Sequence, residues 1–188
     1  GEIYNYIELK KNLETLGYKF KTTSDTEVII YLFHRYGVES FKKLSGIFAI
    51  SLWDENEKTL YLIKDIIGVK PLYYHQSSLG FSFASEMKAL LPFVHKKSLN
   101  NNIDQFFKNI ISYESTKSCI YNHIYRLQAG HFIVYEGGKL SIKRWWNTLD
   151  NLKYQEEDYN EQVEHWKSLF IDSVRIRMQA DVPIASAL

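Results

Sequence analysis

Between Ile47 and Lys64 the chain sets two apolar runs on either side of one polar stretch, Asp54-Glu55-Asn56-Glu57-Lys58. A connection this short can join only antiparallel strands. Ile47 to Trp53 and Thr59 to Lys64 are therefore expected to form a hairpin, and what flanks them decides the fold class. Upstream, Tyr6 to Leu16 carries Ile7, Leu9, Leu13 and Leu16 at helical spacing, with Gly17 as a stop. Tyr18 to Thr22 alternates and reads as a short strand. Ser24-Asp25-Thr26-Glu27 has the spacing of a capping box, so a helix is expected from about Asp25 to Tyr36, ending at Gly37. A short helix around Val38 to Leu44 follows.

Downstream, Pro71-Leu72-Tyr73-Tyr74 leads a third strand and Gly80 to Ser85 makes a fourth. Glu86 to Leu91 reads as a short helix stopped by Pro92, and Ile103 to Ile110 as another. His131 to Tyr135 and Lys139 to Arg144 form a second hairpin around Glu136-Gly137-Gly138. Helices and antiparallel strands fall into separate groups, which predicts an α+β fold rather than a parallel α/β one. Thr148 to Asp158 is polar and acidic, the best linker candidate. Asn160 to Gln179 has a helical stripe of Val163, Trp166, Leu169, Phe170 and Val174. It runs into an apolar strand start, Asp181-Val182-Pro183-Ile184-Ala185-Ser186-Ala187-Leu188.

Composition excludes several functions. A net charge of +1 with scattered basic residues offers no field for nucleic acid or an anionic membrane. Aromatic residues reach 15%, with 14 tyrosines, but no basic groove accompanies them, so strand packing explains them better than base stacking. No apolar run approaches the length of a membrane span. The six histidines show no metal-ligand spacing, and no metal site is expected. The single cysteine, Cys119, rules out an intrachain disulfide.

Several segments, in order, resemble one family. Gly1-Glu2-Ile3-Tyr4-Asn5 is similar to the end of the Asn-Gly-Glu-Ile-Tyr-Asn motif of class II, N-terminal nucleophile glutamine amidotransferases. Ser24-Asp25-Thr26-Glu27-Val28 resembles that family's second glutamine-binding motif. Leu44-Ser45-Gly46-Ile47-Phe48-Ala49, then Asp65, Gly68, Lys70-Pro71-Leu72-Tyr73-Tyr74 and Phe83-Ala84-Ser85-Glu86-Met87-Lys88-Ala89-Leu90, follow in the family's order and spacing. Ile66 departs from the arginine common at its place. Leu127-Gln128-Ala129-Gly130-His131 resembles the bend between the two domains of asparagine synthetases. Ala180-Asp181-Val182-Pro183 resembles the strand leading into their pyrophosphate loop.

The resemblance implies a four-layer αββα sandwich of the N-terminal nucleophile hydrolase type, incomplete at its N-terminus, followed by the start of an α/β ATP-pyrophosphatase domain. The expected divisions are 1–146 for the amidotransferase domain, 147–158 for the linker and 159–188 for the start of the synthetase domain. It also implies a glutamine-hydrolysing asparagine synthetase whose substrates are glutamine, aspartate and ATP, with Mg²⁺, acting in the cytoplasm, and it allows a homodimer.

In that chemistry an N-terminal cysteine thiolate attacks the glutamine amide, with the free α-amine as base. The oxyanion needs preorganised N–H donors. By resemblance Gly1 supplies a backbone donor, while Glu2 and Asp25 bind the glutamine ammonium group. Ala187 and Leu188 would begin the nucleotide site. The nucleophile would precede Gly1, so this polypeptide alone is expected to be inactive. Cys119 lies past the motifs and lacks the free α-amine. Each residue also has a plainer reading: Asp25 begins a helix, where an acid is worth about 0.3–1 kcal/mol whatever its function. Lys64-Asp65 with Gly68 reads as a structural turn. Two alternatives stand beside the asparagine synthetase: a relative that amidates another carboxylate, and a non-catalytic glutaminase-like module.

Overall fold

A computed structural model describes residues 1–109, 113, 115–152 and 158–178. In chain order the elements are β1 (Glu2–Ile3), α1 (Tyr6–Thr15), α2 (Asp25–Tyr36), β2 (Gly46–Ile47), β3 (Ala49–Asp54), β4 (Thr59–Lys64), β5 (Tyr73–Ser77), β6 (Gly80–Ala84), α3 (Met87–Leu90), α4 (Ile103–Lys108), β7 (Tyr125–Arg126), β8 (His131–Glu136), β9 (Lys139–Arg144) and α5 (Tyr159–Arg177). Turns of 3-10 helix occupy Gly37–Lys43, Leu91–Phe93 and Thr148–Asn151. The fold is α+β with antiparallel sheets, as expected. Contacts group it into two units: Gly1 with Ile47–Asn147, and Glu2–Gly46 with Thr148–Leu188.

The first unit is built on two sheets. Strands β3-β4-β8-β9 form one and β6-β5-β7 the other, with every recorded pairing antiparallel. They share one core: Leu62 and Ile133 from the four-stranded sheet, Tyr74 from the other, and Leu72 and Leu127 from the flanking loops. The central strands β4 and β8 are apolar at successive positions because both faces are covered. Leu62 and Ile63 are fully buried, as is Ile133 beside a buried Phe132. The outer strand β9 is largely exposed. The β8–β9 turn runs through Gly137 and Gly138, both at positive φ, which a tight primed turn requires.

The second unit pairs two amphipathic helices. Leu9 and Leu13 of α1 and Val28 and Leu32 of α2 are buried with Ile3, Phe41 and Leu44. Helix α2 is capped by Ser24, whose side chain accepts from the Thr26 N–H at 3.2 Å.

Two expectations need correcting. Tyr18 to Thr22 is not a strand. The Glu27 carboxylate accepts the N–H groups of Lys21 and Thr22 and the Thr22 hydroxyl, so a side chain takes the donors a ladder would use. Glu27 consequently does not reach back to complete a capping box. Its bonds, the Thr22 hydroxyl foremost and then the Lys21 amide, pull the carboxyl below its ordinary pKa. The short α-helix does stop before Pro92, at Leu90, and the chain continues in a different turn. Pro92 lies inside this 3-10 turn, Leu91–Phe93, where a missing N–H costs little. The apolar stripe of α5 forms as predicted, but Val163, Trp166, Leu169, Phe170 and Val174 are all exposed among the described residues. The strand start at 181–188 lies outside the described residues.

Candidate active site

The segment that opens the chain is held from several sides. Within the second unit, the Tyr4 N–H donates to Ser45 O at 2.7 Å. The Asn5 side chain brackets the same loop, donating to Lys43 O at 2.9 Å and accepting from Ser45 N–H at 3.0 Å. Gly46 runs so close to Glu2 that a Cβ on it would lie 2.1 Å from Glu2 O. No side chain fits there.

Asp25 completes this arrangement. It stands at the first position of α2, half-buried, and its Oδ2 accepts the Ile3 N–H at 3.0 Å. Its Oδ1 makes only long contacts among the described residues, 3.5 Å to Ser24 Oγ and 3.4 Å to Thr26 Oγ1. A carboxylate at a helix N-terminus is electrostatically favoured. Here it also fixes the main chain two residues after Gly1. Glu2 is exposed, its side chain free to face solvent or a ligand. The structure thus brings Glu2 and Asp25 to one backbone segment.

In the first unit, Gly1 is exposed and packs against Phe48. A Cβ on Gly1 would lie 2.9 Å from both Ile47 O and Phe48 Cα. That close approach is a steric reason for glycine, independent of any ligand. Phe48 is in turn fixed by Asp65: Oδ2 accepts the Phe48 N–H at 3.2 Å, and the Asp65 N–H donates to Phe48 O at 3.0 Å. The Asp65 carboxylate also accepts from the main chain of Ile67, Gly68, Val69 and Lys70. The turn read from Lys64-Asp65 and Gly68 is therefore real. Its reach to Phe48 was invisible in the sequence, because nothing local links positions seventeen residues apart.

Residues 1–146 match the family described as glutamine amidotransferase domain. The chain belongs to this family. Among its relatives, asparagine synthetase [glutamine-hydrolyzing] 1 of Bacillus subtilis is 33% identical over all of this chain and 29% of its own length. A putative asparagine synthetase [glutamine-hydrolyzing] of Methanocaldococcus jannaschii is 32% identical over all of this chain and 36% of its own length. An amidase of Gibberella zeae is 30% identical over 98% of this chain and 27% of its own length. The chain thus spans about a third or less of the relatives it matches. Among solved structures, glutamine phosphoribosylpyrophosphate amidotransferase of Bacillus subtilis superposes with a TM-score of 0.55 over 77% of this chain and 27% of that one, at 22% identity. That likeness shows a shared N-terminal nucleophile amidotransferase fold.

The one cysteine of this sequence has surroundings that exclude it as a nucleophile. Cys119 is buried with Leu90, Val94 and Ile124. Burial pushes its pKa up to about 11. A reactive cysteine needs the opposite environment. At about pH 8 roughly one part in a thousand would be thiolate. The native domain is expected to react with a thiol reagent at least about 100-fold more slowly than the urea-unfolded chain. Comparable rates in the two states would contradict this placement.

Ala187 and Leu188, the residues singled out for nucleotide, lie outside the described residues. Among the described residues, no group of three His, Cys, Asp or Glu side chains could hold a metal ion. No described helix is long and apolar enough to cross a membrane.

Proposed function

We propose that the protein carrying this amidotransferase domain is a glutamine-dependent asparagine synthetase. The domain hydrolyses glutamine to glutamate and ammonia, and the ammonia amidates aspartate activated by ATP. The observation that carries the reading is the Asp25–Ile3 hydrogen bond: it ties an acid at a helix mouth to the main chain beside Glu2. The asparagine synthetases matched along the whole chain supply the acceptor reaction.

In this reading the nucleophile is an N-terminal cysteine of the parent protein, with its own α-amine as base. Attack on the glutamine amide carbon forms a tetrahedral oxyanion, which the Gly1 main-chain N–H stabilises. Collapse breaks the carbon–nitrogen bond, and the departing nitrogen takes a proton to leave as ammonia. Water then hydrolyses the thioester to glutamate. Asp25, with one lobe free of short bonds, and the exposed Glu2 receive the substrate ammonium group. The negative charge at the start of α2 favours a cation there.

The divisions 1–146, 147–158 and 159–188 belong to the same proposal, with the last leading into a domain that uses ATP and Mg²⁺ from about Ala187 and Leu188 onward. The reading extends to a cytoplasmic location and allows a homodimer. A second reading, amidation of a carboxylate other than aspartate, is favoured by the similarity to the amidase of Gibberella zeae.

The first test is stoichiometry. Glutamine given to the full-length protein should yield glutamate and ammonia in equal amounts. Unchanged glutamine would leave a non-catalytic module as the better account.

A further inference from the structure

We infer that Asp65 is a positioning residue for the oxyanion donor, acting through Phe48. The inference rests on the glutaminase reading above and assigns that site a second layer. One carboxylate gathers five main-chain donors. Asp65 is 1% exposed. Its Oδ1 accepts the N–H groups of Ile67 at 3.0 Å, Gly68 at 2.5 Å and Val69 at 3.1 Å. Its Oδ2 accepts those of Lys70 and Phe48, both at 3.2 Å. Four of these five close the local turn. The fifth does not belong to the turn at all.

That fifth bond is half of a clamp. The Asp65 main chain donates to Phe48 O at 3.0 Å, so both polar groups of Phe48 are held by one residue. The Phe48 ring stacks on Trp145, with centroids 6.4 Å apart and planes 17° from parallel. The Trp145 indole N–H donates to Lys64 O at 3.1 Å, and the Gly130 N–H donates to Asp65 O at 2.9 Å. Phe48 is thus fixed through its backbone, its ring and the neighbours of both. Gly1 lies directly against this fixed point, with room for hydrogen only. An oxyanion donor must sit within a few tenths of an ångström of its place, and Phe48 is the surface that sets where Gly1 sits. A turn needing only closure would not require a carboxylate; four of its bonds would suffice. The bond to Phe48 is what a carboxylate with two accepting oxygens adds.

Asp65→Asn tests this in the full-length protein. The amide keeps one accepting oxygen, which the three donors facing Oδ1 will claim, and turns an N–H₂ toward Phe48. Positioning predicts a kcat for glutamine hydrolysis lower by roughly 10- to 100-fold, with KM within about threefold of wild type. Affinity for the γ-aldehyde analogue of glutamine, whose adduct with the nucleophile carries the same oxyanion, should fall in parallel with kcat. Should the asparagine variant not fold, Asp65→Glu keeps the charge while displacing it by one methylene, and the same split is expected.

An unchanged kcat, or losses in kcat and aldehyde affinity no larger than the fraction of unfolded protein, would reduce Asp65 to a turn residue and overturn the inference. A KM that rises as much as kcat falls would do so too. Each of those results leaves wild-type glutamine hydrolysis intact and so spares the underlying reading. Absence of hydrolysis in wild type would remove both.

Discussion

Asp25→Asn in the full-length protein is expected to raise KM for glutamine by about 100-fold or more while leaving the fold intact. One side chain carries two duties. As a structural acceptor, Asp25 Oδ2 takes the Ile3 N–H at 3.0 Å. An asparagine oxygen can do the same, so this duty survives the change. As a counter-charge in the proposed site, the carboxylate would face the ammonium group of a free amino acid, and asparagine could not replace it. Hydrogen bonds to charged groups contribute about 1.5–3 kcal/mol, and leaving a charged partner unmatched adds to that. About 2.7 kcal/mol corresponds to 100-fold in binding. Asp25→Ala should show the same rise in KM together with lost stability, because Ile3, 1% exposed, would then keep an unpaired N–H. Steady-state kinetics and thermal unfolding on both variants decide the matter. Equal KM values for wild type and the asparagine variant would return Asp25 to a helix-start residue.

Gly1→Ala carries the second large effect, and it falls on kcat. The added Cβ would meet Ile47 O and Phe48 Cα at 2.9 Å and Phe48 Cβ at 3.0 Å. Two of these are backbone atoms, and Phe48 is clamped by Asp65 and packed on Trp145. The neighbour cannot yield, so the chain at position 1 must move. Removing one oxyanion donor costs about 10²–10³ in kcat, and displacing it out of the 2.7–3.1 Å range approaches removal. Glutamine KM should change little, since Asp25 is untouched. Hydrolysis within threefold of wild type would show that the Gly1 N–H is no part of the oxyanion site.

The legible parts of the sequence were those with local chemistry. The two hairpins announced themselves through apolar runs around a polar or Gly-Gly turn, and α2 through its Ser24 cap and Gly37 stop. The parts that failed had long-range causes. Tyr18 to Thr22 alternates like a strand, yet the Lys21 and Thr22 donors go to Glu27, whose spacing from Ser24 points to a capping box instead. Strand β7 is two residues long and shows no period; it exists because β5 offers an edge to Tyr125 and Arg126. Helix α5 has a clear apolar stripe, but a stripe states only that a face wants cover, not what covers it. At the site, Gly1, Glu2 and Asp25 stand out by motif resemblance, not by spacing. The close packing of Gly1 on Phe48 and the Asp65 clamp needed coordinates.

On the proposed function, this domain takes the amide nitrogen from glutamine for transfer to aspartate. The most direct measurement follows that nitrogen. The full-length protein is given glutamine labelled with ¹⁵N in the side-chain amide, together with aspartate, ATP and Mg²⁺, and the products are read by mass spectrometry. Asparagine carrying ¹⁵N in its amide, formed with one glutamate each time, is the predicted result. Label that stays in glutamine, or that reaches a different carboxylate while aspartate is unchanged, would contradict it.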